Sequence, residues 1–187
     1  INVSELVSSA KNQTDCMKAV ADKTDSLAAV SFMDLSVEAE CFGSKIKYGN
    51  DDVPTVTGSI VSSYEEAANL KIPEVGDKRT GINIEAIRQA KKVIKDRPLF
   101  AGAIGPFSLA GRLSDVTEAM IYCYEEPEMM HLLLEKCSAF IEKYILAFKD
   151  AGADGVIMEE PLAGLLSPDF AEEFSHNYVR KIIKNVQ

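Results

Sequence analysis

Three short apolar runs, set apart by stretches long enough to cross back over a sheet, constrain this chain more than any other feature. L-A-A-V-S-F-M fills residues 27–33, L-F-A-G-A-I-G residues 99–105 and G-V-I-M residues 155–158. Each run is continuous rather than alternating, the pattern of a strand buried on both faces, and each is bounded by polar or turn residues. Between the runs the apolar residues recur at three and four. Asn83 is placed to cap a helix from residue 84 to about 96, with Ile84, Ile87, Ala90, Val93 and Ile94 on one side, broken by Arg97-Pro98. Ser114 opens a second helix that ends near residue 125. Pro127 stands at the first position of a third, which carries Met130, Leu133, Leu134, Cys137, Phe140, Ile141, Tyr144 and Phe148 on one stripe and stops at Gly152. Ser167 and Pro168 start a fourth, expected to run to about residue 183.

Two smaller elements lie between the first and second runs. K-I-K-Y-G-N-D-D-V-P-T-V-T-G-S, residues 45–59, has short alternating runs around Gly49-Asn50 and predicts a β-hairpin excursion. Residues 63–70 predict a short helix ending before Pro73. Strands alternating with helical crossovers predict an α/β fold with about three parallel strands, covered by helices on both faces. A complete eightfold barrel takes about 250 residues, so 187 residues are expected to form a single domain that is either a small open sheet or part of a barrel.

The formal net charge of −9 disfavours a nucleic-acid partner. No run reaches the roughly 18 apolar residues of a membrane span, and the first ten residues lack the basic start and apolar centre of a signal peptide. The chain begins on Ile1, as a trimmed or partial N-terminus would. Cys16, Cys41, Cys123 and Cys137 show no paired spacing, which suits free thiols in a reducing cytoplasm. His131 and His176 lie on predicted helices without a ligand set around them, so no metal site is assigned within these residues.

In a parallel α/β fold, ligands bind at the C-terminal ends of the strands. The first end offers Asp34, as a carboxylate at the mouth of the sheet or simply as the cap of the helix that follows. The second offers Phe107 and Ser108, with Arg112 further on, which either binds an anionic group or is a solvated helix residue. The third offers Glu159 and Glu160. Neighbouring strand residues point to opposite faces, so one of the two glutamates is expected in the crevice. Glu160 is the stronger candidate, against a plainer role in a salt bridge to a nearby loop, while Glu159 is expected to face a neighbouring loop or solvent.

Three segments together resemble the uroporphyrinogen decarboxylase superfamily. They are F-M-D-L-S-V-E-A-E-C-F-G (32–43), P-L-F-A-G-A-I-G-P-F-S-L-A-G-R-L (98–113) and G-V-I-M-E-E-P-L-A-G-L-L-S-P-D-F-A-E-E-F (155–174), the last followed by N-Y-V-R-K-I. The resemblance implies a partial (β/α)8 TIM barrel: an N-terminal portion with about three of eight strands, flanking helices and the hairpin. It implies one of two activities, porphyrinogen decarboxylation or methyl transfer from a corrinoid protein to coenzyme M or a related small thiol. The forms V-E-A-E-C-F-G and G-P-F-S-L-A-G look more like the methyltransferase branch. Of the decarboxylase's pattern only its substrate-binding aspartate is matched, by Asp34. Its tyrosine falls at Arg112, its serine at Pro161, and its arginine-rich motif would precede Ile1.

The methyltransferase branch implies zinc held by a His-x-Cys motif and a further cysteine, expected beyond Gln187, so no cofactor is expected on this chain itself. Asp34 and Glu160 are then the catalytic candidates, and Phe107, Ser108, Arg112 and Glu159 the substrate-binding ones. The chain alone is expected to be inactive and to need self-association or the missing half of a barrel to cover its sheet edges. A non-catalytic assembly unit is the competing reading; it predicts no defined small-molecule site. Replacing Asp34 by Ala is expected to cost activity with little change in melting temperature, as measured in the full-length protein.

Overall fold

The computed structural model describes residues 1–187. Two helices open the chain, α1 (Val3–Val7) and α2 (Ala10–Thr24), followed by β1 (Ala29–Val30) and α3 (Val37–Cys41). A hairpin of β2 (Lys45–Lys47) and β3 (Thr55–Thr57) leads to α4 (Tyr64–Asn69) and α5 (Lys78–Val93). Then come β4 (Leu99–Ile104), α6 (Pro106–Ser114), α7 (Val116–Glu125), α8 (Pro127–Ala151) and β5 (Gly155–Glu159). A 3-10 turn over Pro161–Leu165 precedes α9 (Pro168–Ala171), one π turn (Glu172–His176) and α10 (Asn177–Val186). No helix is long and apolar enough to cross a membrane.

The sheet is parallel and its order is β1-β4-β5, with Ala29 opposite Leu99 and Gly102 opposite Ile157. Each new strand is added to the same side. An order without reversal is that of one arc of a barrel and differs from a doubly wound sheet, in which strands are added on both sides of the first. The hairpin is antiparallel and separate from this sheet.

Helices cover one face of the sheet, not two as the apolar runs suggest. Ala29, Leu99, Ala101 and Ala103 are buried against α2, α5 and α8, in one core with Ile87, Tyr144 and Phe148. On the other face Val30 and Ile157 remain 39% and 38% exposed. Met33 covers Gly102 on this face and leaves these two side chains part-exposed. α8 spans this core and a second one that gathers Phe107, Leu113, Leu134 and Phe140. Its rings follow one another from Phe140 to Tyr144 to Phe148, with the last two centroids 4.3 Å apart. Its ends match their signals: Pro127 at the first position and Gly152 left-handed at φ 102°.

β1 is much shorter than its apolar run. The chain leaves the sheet after Ser31, whose backbone N–H still donates to Phe100 O at 2.9 Å. The Ser31 hydroxyl then accepts the Gly102 N–H at 2.9 Å, replacing the carbonyl of a continuing strand. Met33 crosses directly over Gly102, where any Cβ would collide with its side chain. Three helix boundaries also differ. α5 begins at Lys78, with Asp77 at its N-cap, so Asn83 is an interior residue that accepts a hydrogen bond from Gln13 Nε2 at 3.0 Å. Residues 106–114 are a helix of their own, and Asp115 rather than Ser114 caps α7. The last helical stretch runs to Val186 with the π turn inside it.

Phe148 is fully buried and Leu27 is 94% exposed. Phe148→Ala is expected to lower the unfolding free energy by about 3–5 kcal/mol, a large cavity in a close-packed core. Leu27→Ala is expected to stay within about 0.5 kcal/mol. Equilibrium urea unfolding of both variants checks this, and equal losses would contradict the placement of the core.

Candidate strand-end site

The C-terminal ends of β1, β4 and β5 lie side by side, and the polar residues there fall into three groups. The first is centred on Asp34, four residues past β1. Its Oδ1 accepts the Ser36 N–H at 2.9 Å and the Ser36 hydroxyl at 2.7 Å, and its Oδ2 is ion-paired with Arg79 Nη1. The carboxylate is 2% exposed. Arg79, in the first turn of α5, also donates from Nη2 to Ser36 Oγ at 2.9 Å and from Nε to Glu40 Oε2 at 2.6 Å. Glu40 accepts the Tyr48 hydroxyl at 2.7 Å, and the Tyr48 ring lies 5.2 Å from the guanidinium carbon. Asp34 thus stabilises the turn into α3 and neutralises Arg79. Asp34→Ala would leave a buried guanidinium with one partner lost, a change that costs stability. Where the sequence alone predicts little change in melting temperature, the buried pair predicts a fall.

Glu38 stands beside Asp34, entirely buried. Its Oε1 accepts the Ile104 N–H at 3.1 Å, satisfying the end of β4. Burial pushes its carboxyl up to about 7, with the Asp34 charge adding to the rise and Arg79 opposing it. A cavity of about 10 Å³ lies among Asp34, Glu38, Asn83 and Gly102.

The second group is built on Glu160. Its carboxylate accepts the N–H of Phe107 at 3.0 Å and of Ser108 at 2.5 Å, closing the N-terminus of α6. Burial raises its pKa and these N–H groups oppose the rise. Gly105 has no room for a Cβ against this carboxylate. The side chain of Phe107 is fully buried in the core, and Ser108 Oγ accepts the Leu162 N–H at 3.1 Å. The residues read as a second strand end therefore begin a helix, and Glu160 orients that helix instead of pairing with a loop cation.

The third group faces open space. Arg112 on α6 and Glu159 at the end of β5 line a cavity of about 310 Å³, with Met33, Leu35, Ser36 and residues 53–56 of the hairpin around it. Arg112 Nε is buried and has no hydrogen-bond partner. Glu159 is exposed, as its plainer reading has it, and it is the glutamate of the pair that reaches this cavity. The structure thus brings Asp34, Glu160, Phe107 and Ser108 into the framework, and Arg112 and Glu159 to a ligand-sized space.

Sequence reading missed Arg79, Glu38, Glu40 and Tyr48. The acidic pair lay inside the quoted V-E-A-E stretch. Arg79 carried no local signal because its partners are 39 and 45 residues away.

No group of three His, Cys, Asp or Glu side chains is close enough to hold a metal ion. Cys123 and Cys137 are buried and burial raises both thiols, the first to about 12. Cys41 Sγ lies 3.5 Å from the carbonyl of Glu74. His131 is held between the Tyr178 hydroxyl at 2.8 Å and Glu173 at 3.2 Å, on the far side of α8. The residues present do not fit a zinc site.

A family model described as Uroporphyrinogen decarboxylase (URO-D) matches residues 1–187. The methylcobamide:CoM methyltransferase MtbA of Methanosarcina acetivorans is 33% identical over 155 residues, 80% of this chain and 45% of that protein. The uroporphyrinogen decarboxylase of Chlorobium luteolum is 35% identical over 167 residues, 86% of this chain and 47% of that protein. A solved methyltransferase from Methanosarcina mazei superposes with a TM-score of 0.88 at 24% identity, covering 96% of this chain and 54% of its own, which establishes the shared fold. The chain spans about half the length of the curated relatives it matches.

Glu38 yields a pH dependence with a defined sign. Its folded pKa, about 7, is above its ordinary value of 4.5, so the folded state binds the extra proton more tightly. Its stabilising contribution is full below the ordinary value and is lost as pH rises through 7, by up to about 3 kcal/mol. Glu38→Gln keeps an acceptor for Ile104 and cannot titrate. Urea unfolding between about pH 4.5 and pH 8 is expected to show the variant losing less stability than the wild type as pH rises; parallel curves would contradict the buried proton.

Proposed function

The chain belongs to the uroporphyrinogen decarboxylase family, and on that premise we propose that the protein carrying it transfers a methyl group from a corrinoid protein to a small anionic thiol activated by zinc. The state of Asp34 is the observation that carries this reading. A substrate-binding aspartate of the decarboxylase kind has to offer acceptor lone pairs to its ligand. Here three donors, the Ser36 N–H, the Ser36 hydroxyl and Arg79, already occupy the carboxylate, and its burial closes the acceptor position that remains to a ligand. Two further positions support the same branch: Arg112 stands where the decarboxylase has tyrosine, and Pro161 where it has serine. MtbA of Methanosarcina acetivorans is named for a methylcobamide donor and CoM as acceptor, which supplies the chemistry carried over.

This chain's own contribution is recognition of the acceptor. Arg112, unpaired and half-buried, neutralises an anionic head group in the cavity, while Glu159 on the same wall disfavours a second negative charge nearby. Glu160 acts at one remove, fixing the N-terminus of the helix that carries Arg112. Zinc, when bound, supplies a lowered thiol pKa; its ligands have to come from residues other than these 187. The bare edge of β5 lies beside an apolar groove of about 610 Å³ lined by Ile145, Met158, Ile182 and Val186. The remainder of a barrel or a second copy covers that edge in the working protein.

The test is an assay of the full-length protein with methylcobalamin and 2-mercaptoethanesulfonate, and in parallel with uroporphyrinogen. Methylation of the thiol is expected. Decarboxylation of uroporphyrinogen without thiol methylation overturns the reading in favour of the branch represented by the Chlorobium luteolum relative. Arg112→Ala is expected to raise KM for the sulfonate thiol at least about tenfold while leaving that for neutral 2-mercaptoethanol within about twofold.

A further inference from the structure

One wall of the Arg112 cavity does not belong to the sheet or its helices. Residues 53–56 come from the β2–β3 hairpin and line the space together with Met33, Ser36, Arg112 and Glu159. The hairpin ladder contains only three residue pairs, 45 with 57, 46 with 56 and 47 with 55. A two-stranded ribbon of this size does not hold its position in water unaided. Its two ends pass through Gly43 at φ 105° and Gly58 at φ 73°, and at both the space a Cβ would occupy is empty. Glycines in this conformation turn with little steric resistance.

Few polar contacts fix the hairpin against the body. The Ser4 N–H donates to Asn50 O at 3.2 Å, near the tip. The others all involve Tyr48: its hydroxyl donates to Glu40, and its ring lies under the Arg79 guanidinium. Arg79 is the same group that holds Asp34 and Ser36, and Ser36 lines the cavity. Pro54 is buried and Val56 packs against the core, so the apolar base of the hairpin is anchored; its polar tie to the strand end runs through one side chain, Tyr48, that is itself 46% exposed.

We infer that Tyr48 is a positioning residue, which latches the β2–β3 hairpin onto Glu40 and Arg79 and so sets the width of the ligand cavity between the hairpin and Arg112. The latch is a structural statement; its effect on acceptor binding rests on the methyl-transfer reading above. Burial and the hydrogen bond to Glu40 push the phenol up to about 12, so it remains a donor across the neutral range. The ring and the hydroxyl contribute separately. Tyr48→Phe removes the bond to Glu40 and keeps the ring against Arg79, whereas Tyr48→Ala removes both.

The experiment is hydrogen–deuterium exchange on the full-length protein, wild type and both variants, together with KM and kcat for 2-mercaptoethanesulfonate. Amides of residues 45–57 are expected to exchange about tenfold faster in Tyr48→Ala and by an intermediate factor in Tyr48→Phe, with those of β4 unchanged. KM is expected to rise about tenfold in Tyr48→Ala with kcat held within about twofold, and Tyr48→Phe to recover part of the loss. Hairpin exchange at the wild-type rate in Tyr48→Ala overturns the inference. So does equal acceleration in β4, which would make Tyr48 a general stability residue. If the hairpin alone is loosened but the wild type methylates no thiol, the latch stands and the functional reading fails.

Discussion

The strand-end region depends on one buried guanidinium. Arg79 enters from the first turn of α5 and joins the segment after β1, through Asp34 and Ser36, to α3 through Glu40 and to the hairpin through the Tyr48 ring. Its planar fork reaches three acceptors in different directions, which a lysine's single ammonium does not do in a fixed geometry. Charge balance follows from the same group. Asp34 and Glu40 share this one positive charge, and burial, with the Asp34 charge adding to it, raises a third carboxylate nearby, Glu38, to about 7. A neutral Glu38 still accepts the Ile104 N–H. The same side chain completes the backbone hydrogen bonding at the end of β4.

The same device recurs along the sheet's C-terminal rim. Where parallel strands diverge, backbone N–H groups lose their carbonyl partners, and a buried N–H without a partner is costly. Ser31 Oγ takes the N–H of Gly102, Glu38 that of Ile104, and Glu160 those of Phe107 and Ser108. The tight approaches at Gly102 and Gly105 follow, because side chains there lie directly against the backbone. This also resolves the adjacent Glu159 and Glu160. One serves a helix N-terminus, where a negative charge is favoured, and the other faces the cavity, so the two like charges do not share a site.

The parts of this architecture legible in the sequence are those with local causes. β4 and β5 are continuous apolar runs; α8 carries a stripe of apolar residues between Pro127 and Gly152; the hairpin has its turn residues. What escaped was non-local or ambiguous. β1 is short because Ser31 substitutes for the next carbonyl, which no run of apolar residues reveals. The start of α5 is polar, K-R-T-G-I-N, and resembles a loop until Arg79 is seen to be buried against residues of β1's exit and α3. α6 is hard to see because G-P-F-S reads as the end of a strand, although Pro106 at a first helical position is a usable sign. Of the residues singled out, Arg112 and Glu159 reach open space and Asp34 and Glu160 hold the frame. Spacing alone does not separate these roles, because both kinds of residue stand at strand ends.

That separation bears on what half a barrel is able to do. A strand order without reversal curves one way, so the C-terminal ends of β1, β4 and β5 form a concave rim with open edges on both sides. Most polar groups of the rim bond to one another or to the backbone. The one charged side chain of this cavity with a buried, unsatisfied donor is Arg112, and part of the lining is a hairpin whose polar tie is Tyr48. Such a half is suited to recognising a charge and to framing a space, and has no set of metal-binding side chains to spare. Under the methyl-transfer reading the labour divides along the same line. The head group of the thiol is held by this arc, and the donors that activate its sulfur belong to whatever closes the ring across the bare edge of β5.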